Sequence, residues 1–216
     1  FYPPARPGMV VSDLEAICRS EAQRVLTHLR SNRKFGSLDR GWRELDEDSP
    51  IRLLSEWRCG PEASIGALLE PLLRIVRSPE FAGPSTYAAL EATQAVLVAF
   101  SESLGRPSPQ SACDASSEER CRGFVDVTSV TALLKEVSAA VCECVFEETN
   151  PQTDEATAMQ MVVVLGSCVS GAGPAEFLAA DRFRAFTKVL SLWEHYRHSV
   201  VLRACAQTAL QRMLDT

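Results

Sequence analysis

Lysine is scarce in this chain, with only three residues in 216, and the formal net charge is −6. A nucleic-acid partner is therefore disfavoured, because binding to phosphate needs a basic face. Local basic groups remain, such as Arg74 with Arg77 and Arg182 with Arg184. The excess of arginine over lysine fits either an interface that pairs with carboxylates or a GC-rich genome.

The motifs of several enzyme classes are also missing. The chain has no glycine-rich phosphate loop, no Gly-x-Ser-x-Gly and no His-Glu-x-x-His, which are the signatures of nucleotide, serine-hydrolase and zinc-protease chemistry. His195 and His198 have a spacing that could ligate a metal, but they supply two ligands only, and a solvated helix end is the other interpretation. The sequence therefore predicts a chain that is not an enzyme, with no catalytic residue, no cofactor and no metal site.

Long apolar runs and a signal peptide are absent as well, so nothing in the sequence argues for a membrane span or for secretion. We therefore expect a cytoplasmic protein whose eight cysteines are reduced and mostly act as small hydrophobic residues in helices. A disulfide between Cys113 and Cys121 is conceivable only outside the cytosol. Cys142 and Cys144 have the wrong spacing for the usual zinc knuckle.

Helical periodicity dominates what is present. Ser12 and Glu15 form a capping box, which predicts a helix that begins there. Thr153, followed by two carboxylates, predicts the start of another helix. Apolar spacing, caps and Gly/Pro breaks together predict eight helices, over about 12–33, 50–57, 62–78, 84–103, 127–146, 153–170, 183–193 and 202–213.

The segment 70–100 is the most informative part of the chain. A helix ends before Pro79, Phe81 is expected to be buried in the connection, and Pro84 suits the first turn of a new helix. That helix is apolar on most faces as far as Phe100, so it must be covered on most sides. A helix bounded by a polar loop and followed by a mostly buried helix is typical of helical repeats, so the segment predicts two layers of helices.

Helix pairs are predicted to recur every 40 to 45 residues or so, the spacing of armadillo and HEAT arrays. The predicted fold is therefore all-α, an armadillo/HEAT-like α-solenoid of about eight helices. We expect a single domain over 12–216, preceded by a flexible proline-rich lead-in at 1–11. The segment 104–122 is rich in Ser, Pro, Asp and Glu, and it is predicted to be a mobile loop.

Four stretches resemble the DCB (dimerisation and cyclophilin-binding) domain of large Arf guanine-nucleotide exchange factors. They are Leu72–Ser78 with the following Gly83-Pro84 and apolar helix, the basic-Asn-basic end of the first helix at Arg30–Arg33, the turn Thr149–Glu155, and the closing helix at Ser199–Leu214. Within that family, the residues of these stretches are most similar to the Golgi brefeldin-A-resistance-factor subgroup. The resemblance covers about residues 12–216.

The resemblance implies a regulatory domain that lacks the exchange site and acts in Golgi vesicle traffic. Family members dimerise through it, pack it on the following HUS (homology upstream) domain, and use it with small GTPases of the Arf or Rab type and with lipids at Golgi membranes. The implied location is cytoplasmic, peripheral at the Golgi. The family's dimer contacts fall on Glu155 and Ala95, where Ala95 replaces a lysine. Asp154 and Glu91 complete the set of interface candidates.

A second hypothesis is a free-standing helical-repeat adaptor with a groove for a peptide or protein. A third, a small helical enzyme, has little support from the motifs. Trp193 is open to two interpretations, core packing or an interface role beside His195, Tyr196 and Arg197. The domains encoded downstream in the full-length protein would separate the first two hypotheses.

Overall fold

Apolar residues at helical spacing fold the described chain into α-helices. The computed structural model describes residues 11–31, 49–57, 65–104, 127–171 and 179–215. In these ranges it has eight helices, α1 Val11–Ser31, α2 Pro50–Glu56, α3 Ile65–Arg77, α4 Gly83–Leu104, α5 Val127–Glu143, α6 Pro151–Gly171, α7 Ala179–His195 and α8 Val200–Asp215. No strand occurs in the same ranges, and a single isolated parallel bridge joins Ala82 and Glu147.

The helices form two layers. Helices α1, α4, α6 and α8 pack side by side in that order, and α2, α3, α5 and α7 form a second row behind them. The pairs α1–α2, α3–α4, α5–α6 and α7–α8 connect the layers, and each pair packs mainly on the neighbouring pairs. The predicted all-α solenoid of about eight helices is therefore confirmed.

The repeat interval is longer than predicted. The first helices of the four pairs begin at residues 11, 65, 127 and 179, so successive pairs lie more than 50 residues apart rather than 40 to 45. The difference arises because long connecting segments, such as 105–126, separate the helices. An array is defined by its helix packing, which tolerates long connections at small entropic cost.

The inner helices α4 and α6 run parallel and are buried along most of their length. The hydroxyl of Thr157 donates to the carbonyl of Gly83 at 3.0 Å near their beginnings, and Gln94 Nε2 donates to Ser167 Oγ at 2.9 Å farther along. Leu97 is 7% exposed, and Met161 is 1% exposed. The prediction that these helices are covered on most sides is confirmed.

Several helix boundaries differ from the prediction. Helix α1 begins at Val11, so Ser12 lies inside the helix and is not its N-cap. Helix α5 ends at Glu143, three residues before the predicted end. Helix α6 begins at Pro151, because the side chain of Asn150 accepts the N–H of Gln152 at 3.0 Å and so caps the helix.

The turns between paired helices meet at one edge of the array. The N–H of Glu147, in the α5–α6 turn, donates to the carbonyl of Phe81, and the N–H of Gly83 donates to the carbonyl of Glu147, both at 3.3 Å. Phe81 is buried, as predicted. The predicted lead-in and mobile loop lie outside the described residues, apart from Val11 and Leu104.

Candidate interaction surfaces

The first candidate surface is a groove across α1, α4 and α6, which we call the α1/α4/α6 groove. Its cavity measures about 350 Å³. Arg24 and His28 contribute from α1, Tyr87 and Glu91 from α4, and Thr153 from α6. Arginine and tyrosine are enriched at the centres of protein interfaces, so this composition suits contact with a partner protein.

An ion-pair cluster forms one wall of the α1/α4/α6 groove. The guanidinium of Arg24 contacts the carboxylates of Glu21, at 2.6 Å, and Glu91. Burial acts to lower the pKa of Arg24, but hydrogen bonds and charge from the two carboxylates outweigh it and raise that pKa. Burial and the nearby charge of Arg24 lower the pKa of His28, which favours the neutral form of its imidazole.

Two of the predicted interface residues, Glu91 and Ala95, lie on the solvent side of α4. Both are partly exposed and sit one helical turn apart, in the same row as Tyr87. The cation beside Glu91 comes from Arg24, which is 67 residues away in the sequence. Sequence reasoning missed Arg24, and no local signal marks it, because only the packing of α1 on α4 brings the two side chains together.

Asp154 lies inside the fold. Its side chain is buried, and Oδ2 accepts the N–H groups of Thr149 and Asn150 at 3.0 Å each. These bonds fasten the α5–α6 turn to the first turn of α6. The carboxylate of Asp154 is therefore not part of the described surface, and its role in this structure is internal.

Glu155 is directed towards α8. Its carboxylate accepts the hydroxyl of Ser199, and Ser199 Oγ accepts the N–H of Leu202 at 3.0 Å, which caps the start of α8. Helix α6 contributes Thr153 and Ala156 to the α1/α4/α6 groove, whereas Glu155 packs on the other side. The structure therefore does not gather the four predicted interface residues into one patch.

The second candidate surface is the apolar end, which we define as Phe183, Val200, Val201 and Leu214 on the α7–α8 pair. Their exposed fractions are 71%, 80%, 62% and 70%. Helix α8 also exposes Arg203, Gln207 and Gln211 there. At the other end of the array, the described residues of α1 expose polar side chains such as Arg19 and Gln23 and no large apolar one. The two ends thus differ in exposed apolar side chains, and the apolar end is the better candidate for a further packing surface.

The aromatic residue Trp193 packs against the core, and the guanidinium of Arg203 lies 5.7 Å from its ring centroid. This agrees with the core-packing interpretation and adds a cation–π contact. His195 Nε2 lies 3.6 Å from Glu148 Oε1, with both side chains well exposed. No three His, Cys, Asp or Glu side chains form a metal-binding group within the described ranges.

Five cysteines lie in the described helices and connections, and none of these five forms a disulfide. Burial raises the pKa of Cys144 to about 11 and that of Cys168 to about 12. Both thiols are therefore protonated at neutral pH and poorly reactive, because the thiolate is the nucleophile. They act as small core residues.

These thiols predict a loss of stability at alkaline pH. A folded-state pKa above the ordinary 9.0 means that the unfolded chain loses the proton first. The contribution of the protonated thiols to the free energy of unfolding is complete below about pH 9, and it is lost as the pH rises towards 12. Urea melts at pH 8, 9.5 and 11 should show a declining free energy of unfolding. Cys168→Ala should flatten that decline, whatever its effect at pH 8, and an unchanged slope would contradict the assignment.

A second cavity, of about 520 Å³, lies where α4 and α6 end beside the beginning of α5. Leu97, Val98 and Phe100 line it from α4, and Leu133 and Leu134 line it from α5. Its size and apolar wall are typical of sites that receive a hydrophobic group.

Two comparisons with known proteins find no match: no protein-family model matches the chain, and no curated protein matches it. In the part of the chain that the structure describes, none of the helices is both long enough and apolar enough to cross a membrane.

Proposed function

We propose that this chain is a non-catalytic interaction module, specifically the DCB-type regulatory domain of an Arf exchange factor that acts in Golgi vesicle traffic. The observation that carries the proposal is the apolar end of the array. In a solenoid, each pair buries its apolar faces on the next pair, and terminal pairs are normally polar on the outside. An end that exposes Phe183 and Val200 therefore supports a further helical partner, for which the HUS domain is our candidate.

The α1/α4/α6 groove supports a second contact in the same function. Its Arg24, Tyr87 and Glu91 combine a charged pair with an amphipathic ring, as interface centres do. We assign this surface to a second copy of the chain or to a small GTPase of the Arf or Rab type. Membrane association is peripheral and acts through the full-length protein.

Binding to the polypeptide encoded beyond residue 216 tests the proposal. We expect that reading frame to encode a HUS domain and then an exchange domain. Calorimetric titration of the chain with the HUS domain should give a measurable Kd, which Val200→Asp weakens at least tenfold because it places a charge in the apolar end. Val145→Asp is the matched control, since Val145 is 61% exposed outside the apolar end. Equal effects of the two variants would contradict the proposed interface.

Self-association gives a separate prediction. We expect the wild type to dimerise at about tens of micromolar, as standard-size protein interfaces allow, and Glu91→Lys in the groove to weaken the dimer, because a charge at a two-fold interface acts twice. Glu91→Gln is the control, since its amide oxygen can still accept a hydrogen bond from Arg24. Sedimentation equilibrium decides: a monomeric wild type removes the dimer, and a dimer indifferent to Glu91→Lys places the interface outside the α1/α4/α6 groove.

The alternative function is a free-standing helical-repeat adaptor, favoured by the 520 Å³ apolar cavity beside Leu97 and Leu133. Such an adaptor would bind an apolar side chain of a peptide in that cavity. A reading frame without HUS and exchange domains would favour the adaptor over the exchange-factor domain.

A further inference from the structure

The α7–α8 pair completely buries fewer apolar side chains than the other pairs do. Helix α7 buries only Ala185 and Val189 fully, with Phe186, Leu192 and Trp193 partly buried against the core, whereas α3 and α6 each bury seven apolar side chains. Helix α8 adds Leu202, Ala206, Ala209 and Met213, of which two are alanines. Hydrophobic stabilisation grows with the apolar area that is buried. We therefore expect apolar burial to contribute less free energy to the packing of this pair than to the packing of the others.

The polar links to the pair do not make up the difference. Arg184 contacts Glu143 at 2.8 Å, but their side chains are 53% and 49% exposed, and exposed ion pairs contribute little. Lys188 Nζ donates to the carbonyl of Cys144 at 3.2 Å. Two further links are the hydrogen bond from Ser199 to Glu155 and the contact of His195 with Glu148 at 3.6 Å, whose side chains are both well exposed. These links lie at or near the surface, where water competes for the same groups.

We propose that the α7–α8 pair opens as a unit while α1 to α6 remain folded. Among the described helices the α7–α8 pair packs mainly on α5 and α6, so it separates from them by breaking one interface, and elements with few buried contacts open at the lowest free energy. Opening uncovers the face of α6 around Gly166, against which Ala209 packs. The array thus has a closed state with that face covered and an open state that presents it. A partner packed on the apolar end would add a second interface to break, so the inference concerns the chain without such a partner.

Native-state hydrogen exchange of the wild-type chain tests the proposal directly. Amides in the middle of the pair, such as those of Val189 and Ala206, should share one opening free energy and exchange at least tenfold faster than those of Leu90 and Met161. Their exchange should depend weakly on denaturant, as expected for partial opening. If the amides of both groups exchange at the same rate and with the same denaturant dependence, the pair opens only with the whole fold and the proposal is overturned.

A disulfide between α6 and α8 gives an independent test. A Cβ atom built on Gly166 lies 3.6 Å from the Cβ of Ala209, which is within the range found in disulfides. In the oxidised Gly166→Cys/Ala209→Cys variant, with the linkage verified by peptide mapping, exchange at Val189 and Ala206 should slow at least tenfold. Exchange in α1 should not change, and reduction should restore the fast rate. The two single variants are the controls. An oxidised variant that exchanges at the reduced rate would contradict the opening.

Discussion

Replacing Met161 by alanine is expected to lower the free energy of unfolding by about 2–5 kcal/mol. Met161 is 1% exposed in α6, a helix that packs on α4, α5 and α8. The substitution removes buried apolar atoms, and helices packed on several sides cannot all move in to fill the space. The loss therefore includes a transfer term and a cavity term. Urea unfolding followed by circular dichroism measures it.

Met159→Ala is the matched control, because Met159 lies on the same helix with partial exposure. The chemical change and the helix propensities are identical in the two variants, so the difference between them reports burial alone. We expect a loss of less than about 1.5 kcal/mol for Met159→Ala, within the range of ordinary substitutions. Similar losses for the two variants would mean that α6 is not an inner helix.

Met161 also shows why the fold could be predicted from the sequence. Its helix is apolar on most faces, and such a helix is stable only when covered, which requires a second layer. The boundaries were less predictable. Asn150-Pro151 can follow one helix or begin the next, and the choice depends on the bond between Asn150 and the N–H of Gln152, which a sequence pattern does not reveal.

The candidate surfaces could be predicted only in part. Glu91 and Ala95, predicted as interface candidates, are four residues apart, a spacing that puts two side chains on one row of a helix, and both are partly exposed on α4. The pairing of Glu91 with Arg24 depends on tertiary packing and has no local signal. Asp154 was predicted to be a helix-start carboxylate and an interface candidate, but the structure buries it. Its Oδ2 accepts two backbone N–H groups of the α5–α6 turn, a contact that the sequence pattern does not reveal. Phe183 has core-like spacing, but among the described helices it lies on the last pair of the array and is 71% exposed.

Polar contacts between successive helix pairs are found at the edge where the turns of the array meet. Burial, followed by the charges of Glu148, Asp154 and Glu155, raises the pKa of Tyr196 to about 12. The hydroxyl of Tyr196, in the α7–α8 turn, thus interacts electrostatically with carboxylates of the α5–α6 turn and of α6. The backbone pairing of Glu147 with Phe81 and Gly83 joins the α3–α4 turn to the same edge. This edge fixes the register of three successive helix pairs, so changes to it should be costly.

A Gly83/Asp154 double-mutant cycle is the strongest test of that edge. A Cβ atom on Gly83 would lie 2.6 Å from Asp154 Oδ1, closer than atoms can pack. Asp154 cannot move away easily, because its other oxygen holds the N–H groups of Thr149 and Asn150. Gly83→Ala should therefore cost about 1–3 kcal/mol through overpacking. Asp154→Ala should cost about 1–3 kcal/mol or more, because it leaves backbone donors without their partner.

The two losses should not add. Once Asp154→Ala has removed the carboxylate, the methyl group introduced by Gly83→Ala no longer meets Oδ1. In the Asp154→Ala background, Gly83→Ala should then cost less than about 0.5 kcal/mol, a difference no larger than that found between residues that do not interact. The coupling free energy from urea melts of the wild type, both single variants and the double variant should therefore be at least about 1 kcal/mol, typical of residues in contact. Gly171→Ala is the control for glycine replacement, since a Cβ atom there lies 3.9 Å from Leu134. If Gly83→Ala costs the same with and without the carboxylate of Asp154, the close approach of the α3–α4 turn to α6 does not determine the stability of this edge.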